Sequence, residues 1–109
     1  MTVLVNTSGS QTATISTEHT LATVATAAAL ALVVDLAAMV AGDIVELRVY
    51  GKARSSDTER LLHRATYGPT PPTSPLAMSV PIMSPHHFKA TLKQSAGTGR
   101  AFPWAIYEG

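Results

Sequence analysis

The chain contains no cysteine. That absence excludes a disulfide framework, a thiolate metal site and a cysteine nucleophile. Charge is scarce. Asp, Glu, Lys and Arg make up 14% of the 109 residues, against roughly a quarter in an average domain. The formal net charge is only +1, which disfavours a nucleic-acid partner bound through counterion release. Long apolar runs are missing as well. The least polar stretch, 21–41, is interrupted by Asp35, and the charge-free part before it is shorter than the ~20 residues of a membrane-spanning helix. No Lys or Arg precedes Arg48, so the basic flank of a signal peptide is absent. Residue 2 is Thr and the chain ends Ile-Tyr-Glu-Gly, neither of which forms a lipidation box. The expectation is a soluble protein made in the cytoplasm, without a membrane partner.

What is present suits one domain. Hydrophobic residues make up 46% of the chain, enough to build a single core at this length. Polarity comes mainly from hydroxyls, with 14 Thr and 9 Ser. Charge is also uneven. Residues 1–42 carry only Glu18 and Asp35, and all eight Lys and Arg fall between Arg48 and Arg100. A nearly neutral N-terminal third rich in Thr and Ala either packs on both of its faces or packs against another chain.

Strand signals dominate. Thr2 to Val5 is a short β-branched run, with Asn6 to Ser10 read as the turn cluster that ends it. Gln11 to Ser16 alternates Thr12 and Thr14 against Ala13 and Ile15. From Ile44 to Tyr50, Val45, Leu47 and Val49 alternate with Glu46 and Arg48, the period-2 pattern of a half-buried strand. Leu76, Met78, Val80 and Ile82 alternate too. Pro81 and Pro85 place that run at an edge, because proline cannot donate to a ladder. Phe88, Ala90 and Leu92, then Phe102, Trp104 and Ile106, read as two arms of a hairpin around a Gln94–Gly99 loop. The stretch 18–41 is ambiguous. Nine Ala in it favour a helix, whereas its Thr and Val residues favour two strands, near 19–26 and 29–36, followed by a turn.

Two loops stand out. Residues 54–60 are the most charged stretch. Residues 68–75 hold Pro69, Pro71, Pro72 and Pro75 and read as an extended intradomain loop or arm. The fold expected is a single-domain all-β sandwich, or a jelly-roll-like domain, of about seven or eight strands. Val45, Leu47, Val49, Phe88, Leu92, Phe102, Trp104 and Ile106 should line its interior.

Residues for chemistry are hard to assemble. His86 and His87 are adjacent, so a strand would point them to opposite faces, and no carboxylate lies within ten residues of them. They read as polar surface histidines at a strand start rather than metal ligands. Asp43 and Glu46, three apart, do not share a strand face. Asp57 and Glu59 lie in the charged loop. Asp35 reads either as a general base in apolar surroundings or as a strand-end carboxylate capping the next turn. Gly97-Thr98-Gly99-Arg100 lacks the Lys-Ser/Thr ending of a phosphate loop. Lys89, Lys93 and Arg100 could form a small basic face, but Lys89 and Lys93 alternate with the aromatic side of their strand. No catalytic residue, metal or cofactor is therefore expected, no small-molecule substrate is indicated, and the chain reads as a non-enzyme.

Three stretches carry a resemblance: Glu18-His19-Thr20-Leu21-Ala22-Thr23; Leu32-Val33-Val34-Asp35-Leu36 with Met39 to Tyr50; and Phe88 to Trp104. They resemble small β-rich virion structural proteins of tailed bacteriophages over roughly residues 17–50 and 86–107. The resemblance implies a capsid decoration (cement) protein, located in the virion, whose partners are the major capsid protein and other copies of itself. It implies no catalytic residues, and it does not reach residues 52–85. A tail, head–tail connector or fibre-associated component, or a β domain outside phages that binds protein or nucleic acid, stays open. The residues singled out for partner contact are Thr2, Val3, Leu4 and Val5, which could add to a neighbour's sheet edge, and the four prolines of the 68–75 loop.

Overall fold

The structure is a computed structural model that describes residues 2–109. Among the described residues there are nine strands and no helix. The strands are β1 (Leu4–Thr12), β2 (Glu18–Val24), β3 (Ala28–Asp35), β4 (Ile44–Gly51), β5 (Arg60–Tyr67), β6 (Leu76–Met78), β7 (Ile82–Ser84), β8 (Phe88–Ala96) and β9 (Ala101–Glu108). They form two antiparallel sheets. The first runs β1-β9-β3-β6, with β7 also on β3, and the second runs β2-β8-β4-β5. Chain order alternates between the sheets at most connections, and the two orders together are those of a jelly-roll sandwich. The all-β sandwich expected from the alternating runs is the fold observed.

The core is the inner layer of both sheets. Leu30, Leu32 and Val34 of β3 and Phe102 and Ile106 of β9 meet Val45, Leu47 and Val49 of β4 and Phe88, Ala90 and Leu92 of β8. Each set comes from one parity of an alternating run, so the pattern that makes these segments strands also chooses their buried face. Residues 18–41 form two strands and a turn, as their β-branched content favours over their alanines.

Several expectations are corrected. Asn6 to Ser10 is not a turn; it continues β1, which pairs with β9 from Leu4 to Thr12 and absorbs Asn6 as a bulge. Thr, Ser and Asn favour turns, but this stretch gains a full ladder from β9. β8 and β9 are not a hairpin. They lie in different sheets, and the 97–100 connection turns the chain across the sandwich. Gln94 is no loop residue. It is fully buried in β8, where Nε2 donates to the Ala96 and Thr98 carbonyls and Oε1 accepts from Arg100 N–H. The strand count is nine because the run from Leu76 is split. β6 and β7 occupy one edge of β3 in two pieces, separated by Ser79-Val80-Pro81. In the gap Ser79 N–H donates to Leu32 C=O, and Ser79 Oγ accepts from Leu32 N–H in place of a strand partner. β5 gave no clear sequence signal, since at this sheet edge one face is exposed and the other, His63, Ala65 and Tyr67, is only half-buried and not uniformly apolar. Trp104 is only partly buried against the core, and its ring lies 3.1 Å from where a Cβ on Gly9, its cross-strand partner, would stand.

Candidate interaction surface

The two outer faces of the sandwich differ in chemistry. On the β2-β8-β4-β5 sheet, Glu46, Arg48 and Tyr50 point outward between buried Val45, Leu47 and Val49. Register sets Lys93, Thr91 and Lys89 of β8 beside them. A connected polar lattice results. Arg48 bonds Glu46 and donates to Tyr50 Oη at 3.3 Å. Tyr50 Oη donates to Glu18 Oε2 at 2.7 Å, as does Thr91 Oγ1 at 2.6 Å. The Lys89 ammonium stands 4.8 Å from the centroid of the Tyr50 ring. It also bonds Glu59 Oε1 at 2.6 Å, while His87 Nε2 lies 2.8 Å from Glu59 Oε2.

The lattice sets the charge states. Burial pushes the Glu18 carboxyl up, but the Thr91 and Tyr50 hydroxyls with Arg48 outweigh it and hold it below its ordinary value. The bond from Lys89, then that from His87, lowers Glu59, and Glu59 in turn raises Lys89. Bonds to Tyr50 and Glu46 hold the Arg48 guanidinium more firmly protonated than usual.

At one end of the sandwich Asp43 forms a second polar centre. It is buried. Its carboxylate accepts from Val40 N–H at 3.0 Å, Thr98 N–H at 3.3 Å and Arg100 Nε at 3.0 Å. Gly97, at φ 91°, lets the backbone pass so close that a Cβ there would stand 1.9 Å from Asp43 Oδ1. Asp43 thereby ties the turn before β4 to the turn between β8 and β9.

The outer face of the other sheet is mainly apolar over β3, β6 and β7, while β1 adds the exposed Ser8, Ser10 and Thr12. No Lys or Arg lies in β1, β3, β6, β7 or β9, and their only charged residues are Asp35 and Glu108. Both carboxylates are engaged. Asp35 Oδ1 accepts from Ala37 N–H at 2.9 Å, and Glu108 Oε1 accepts from Asn6 Nδ2 at 2.7 Å. Register places Val5 beside Tyr107, Tyr107 beside Ala31, Val33 between Ala105 and Met78, and Ala29 beside Met83. Small side chains thus form the floor and larger ones the walls. The result is a groove of about 470 Å³ whose lining includes Val3, Ala31, Met78, Pro81, Tyr107 and Glu108. Beside it Met83 projects with 89% of its surface exposed, and Val3, Val5, Met78 and Val80 are each more than half exposed.

Of the residues singled out in the sequence, Val3 and Val5 reach this face. Leu4 and Val5 are already paired with β9, opposite Glu108 and Tyr107, so the N-terminal strand belongs to its own sheet and is not a free arm. Thr2 is exposed. The proline segment is a loop held at both ends. Pro69 C=O accepts from Gly42 N–H at 2.8 Å, and Pro75 C=O from Leu36 N–H at 2.8 Å. Pro69 and Pro75 are exposed, Pro71 and Pro72 half-buried, and none of the four lines the groove. His86 and His87 are half-buried rather than on the open surface, and His86 Nε2 is buried without a partner. Lys89, Lys93 and Arg100 do not form a joint basic patch, since Lys89 is paired with Glu59 and Arg100 with Asp43. Among the described residues no three His, Asp or Glu side chains converge as a metal site would require. No helix among them is long and apolar enough to cross a membrane.

Sequence reasoning missed Met78 and Met83 as exposed residues of this face, with Tyr107 and Ala29 half-buried beside them and Ala31 buried between. The signal available was the unbroken apolar run Ala28 to Val34, which reads as a strand covered on both faces.

No protein-family model, curated protein or solved structure matches this chain.

Proposed function

We propose that this chain is a structural protein of a tailed-phage virion, a capsid decoration (cement) protein that stabilises the head by bridging capsid subunits. The observation that carries the reading is the division of the sandwich into one outer face locked in an ion-pair lattice and one that has no cation and exposes Val3, Val5, Met78, Val80 and Met83. Contiguous apolar surface on a small domain marks contact with another protein, and burying it in a particle recovers free energy that a domain of this size gains only sparingly from its own core. The residues that carry the phage resemblance lie on β2, β3, β4, β8 and β9, the strands that form the framework of both sheets. Jelly rolls host viral capsid domains, lectins and cupins alike, so the fold is compatible with this role without selecting it. No catalytic step or cofactor is part of the proposal.

Copy number tests it. Mass-spectrometric quantification in purified particles, against the major capsid protein, should find hundreds of copies. A handful per particle would move the chain to the tail or connector, and absence from particles would overturn the virion role altogether.

A further inference from the structure

We infer that the open edge of β5 takes up an extended, acidic segment of a partner protein as an added strand of the β2-β8-β4-β5 sheet. The inference deepens the virion reading by giving the chemistry of one partner, and it rests on that reading only for the setting in which the edge is used.

Charge fixes the sign of the partner. The carboxylates on this side of the sandwich are already held within the chain, Glu18 and Glu46 by Arg48, Asp57 by Arg54 and Glu59 by Lys89. The cations are not all matched. Among the described residues Lys52, Arg60, Arg64 and Lys93 form no ion pair. Arg60 and Arg64 lie on β5, and Lys52 follows Gly51, the β4 residue that Arg60 faces. Arg64 is exposed, and its cross-strand partner is Arg48. Like charges directly opposite each other destabilise a sheet. Arg48 has its own partners in Glu46, Glu18 and Tyr50. The position left for a carboxylate opposite Arg64 is on its other side, where this chain supplies no strand.

The backbone there is open as well. β5 pairs with β4 alone, so the N–H and C=O groups along its outer edge lack a strand partner. The strand has eight residues and no proline. Its one bulge falls beside Tyr50, so His63 to Tyr67 runs in regular register. The other edges suit a charged strand less well. β6 and β7 are broken at Ser79-Val80-Pro81, β2 carries a bulge between Thr20 and Ala22, and β1 has no charged residue.

The arginines also choose among occupants. Antiparallel pairing of two β5 edges would bring Arg60 and Arg64 of one copy alongside those of the other, a like-charge contact. Single-stranded nucleic acid needs free aromatic faces for stacking, and on this face Lys89 already stands over the Tyr50 ring. An extended segment with alternating carboxylates meets both demands of the edge. Its main chain continues the ladder, and one of its carboxylates accepts from the Arg64 fork.

The test uses purified full-length protein and a fluorescent, end-capped peptide of alternating Glu and Val, as long as β5. Anisotropy should show binding with a Kd of about 10–100 μM. Arg64→Glu should weaken it about ten-fold or more, because an attraction becomes a repulsion. Lys93→Glu, at a free cation two strands from the edge, should change it less than about two-fold. Two readouts follow the added strand itself and need no variant. Saturating peptide should slow amide exchange within 63–67, and a peptide N-methylated at every residue, with the same charge, should not bind. No binding at about 1 mM, equal losses in the two charge variants, or undiminished binding of the N-methylated peptide would each overturn the inference. A single-stranded oligodeoxynucleotide that displaced the peptide and bound more tightly would overturn it in favour of nucleic acid. None of these results bears on copy number in particles, so this inference and the virion reading fail separately.

Discussion

Asp43 holds Arg100 across 57 residues of chain, with Oδ2 3.0 Å from the guanidinium Nε. The carboxylate is 1% exposed and Arg100 partly open to water. Three donors converge on one buried anion, so the turns at 36–43 and 97–100 share a single electrostatic anchor. The arrangement stabilises the end of the sandwich at which β8 crosses over to β9.

The first prediction follows from that anchor. The Val40 N–H bond lowers the Asp43 pKa most, burial opposes it, and the Arg100 and Thr98 bonds bring the net result below the ordinary 3.8. A carboxyl depressed in the folded state contributes stability above its unfolded pKa, and the contribution fades as pH falls through the folded value. Asp43→Asn should cost about 2 kcal/mol near neutral pH, in the range for hydrogen bonds to a charged group. It should also flatten the fall in stability below about pH 4. Urea unfolding at pH 7 and at pH 3 measures both, and a variant that loses equally at the two values would contradict the ionic role.

Trp104 and Phe102 share one parity of β9 but differ in cover. Phe102 is fully buried, whereas Trp104 is only partly so and rests against Gly9 at the β1 side of the sheet. Phe102→Ala should therefore cost roughly 3–5 kcal/mol, and Trp104→Ala less, about 2 kcal/mol. Denaturant unfolding followed by far-ultraviolet circular dichroism gives the ranking. An equal or larger loss at Trp104 would mean that the indole is buried more completely than the structure shows.

Alternation made the inner strands legible. β4, β8 and β9 show their buried parity directly in sequence, because one face of each meets the opposite sheet and the other does not. The same rule lost its hold where strands lie at edges. β5 has one exposed face and one only half-buried, so its apolar signal is weak, and the alternating run from Leu76 to Ile82 does not show that Ser79 to Pro81 split it into β6 and β7. β1 was hidden for another reason. Asn6 to Ser10 has turn composition, and only the long-range ladder to β9, about a hundred residues away, makes it a strand. Asp43 and the Glu59 contacts were out of reach for the same reason, since each joins segments far apart in the chain, whereas Gln94 was hidden by its loop-like neighbours, its side chain bonding only within 94–100. The apolar surface was partly legible. The neutral, alanine-rich N-terminal third implied a second packed face, but the residues that complete that face, Met78, Met83 and Tyr107, come from the C-terminal half.

The last prediction concerns the 52–59 loop. Glu59 is its anchor, bonded to Lys89 at 2.6 Å and to His87 at 2.8 Å, and about a third of its side chain is open to water. Within the loop, Asp57 bonds only Arg54, three residues away, so that pair does not tie the loop to a sheet. Glu59→Gln should thus cost little global stability, at most about 1 kcal/mol as for other partly exposed pairs, while freeing the loop locally. Trypsin at neutral pH should cut at Lys52 or Arg54 several-fold faster in the variant. The pH response follows from the shifts. Glu59 is lowered from 4.5, so its hold is present above about that value and is lost as pH falls through the lower folded pKa. Lys89 is raised from 10.5 by Glu59, so its share is present below that value and is lost only as pH rises through the higher folded pKa. Amide exchange of residues 52–58, corrected for intrinsic rates, should then show protection that is flat from about pH 6 to 9 and fails at both extremes. In Glu59→Gln that plateau should disappear, and a wild-type loop with no plateau would show that these contacts do not restrain it.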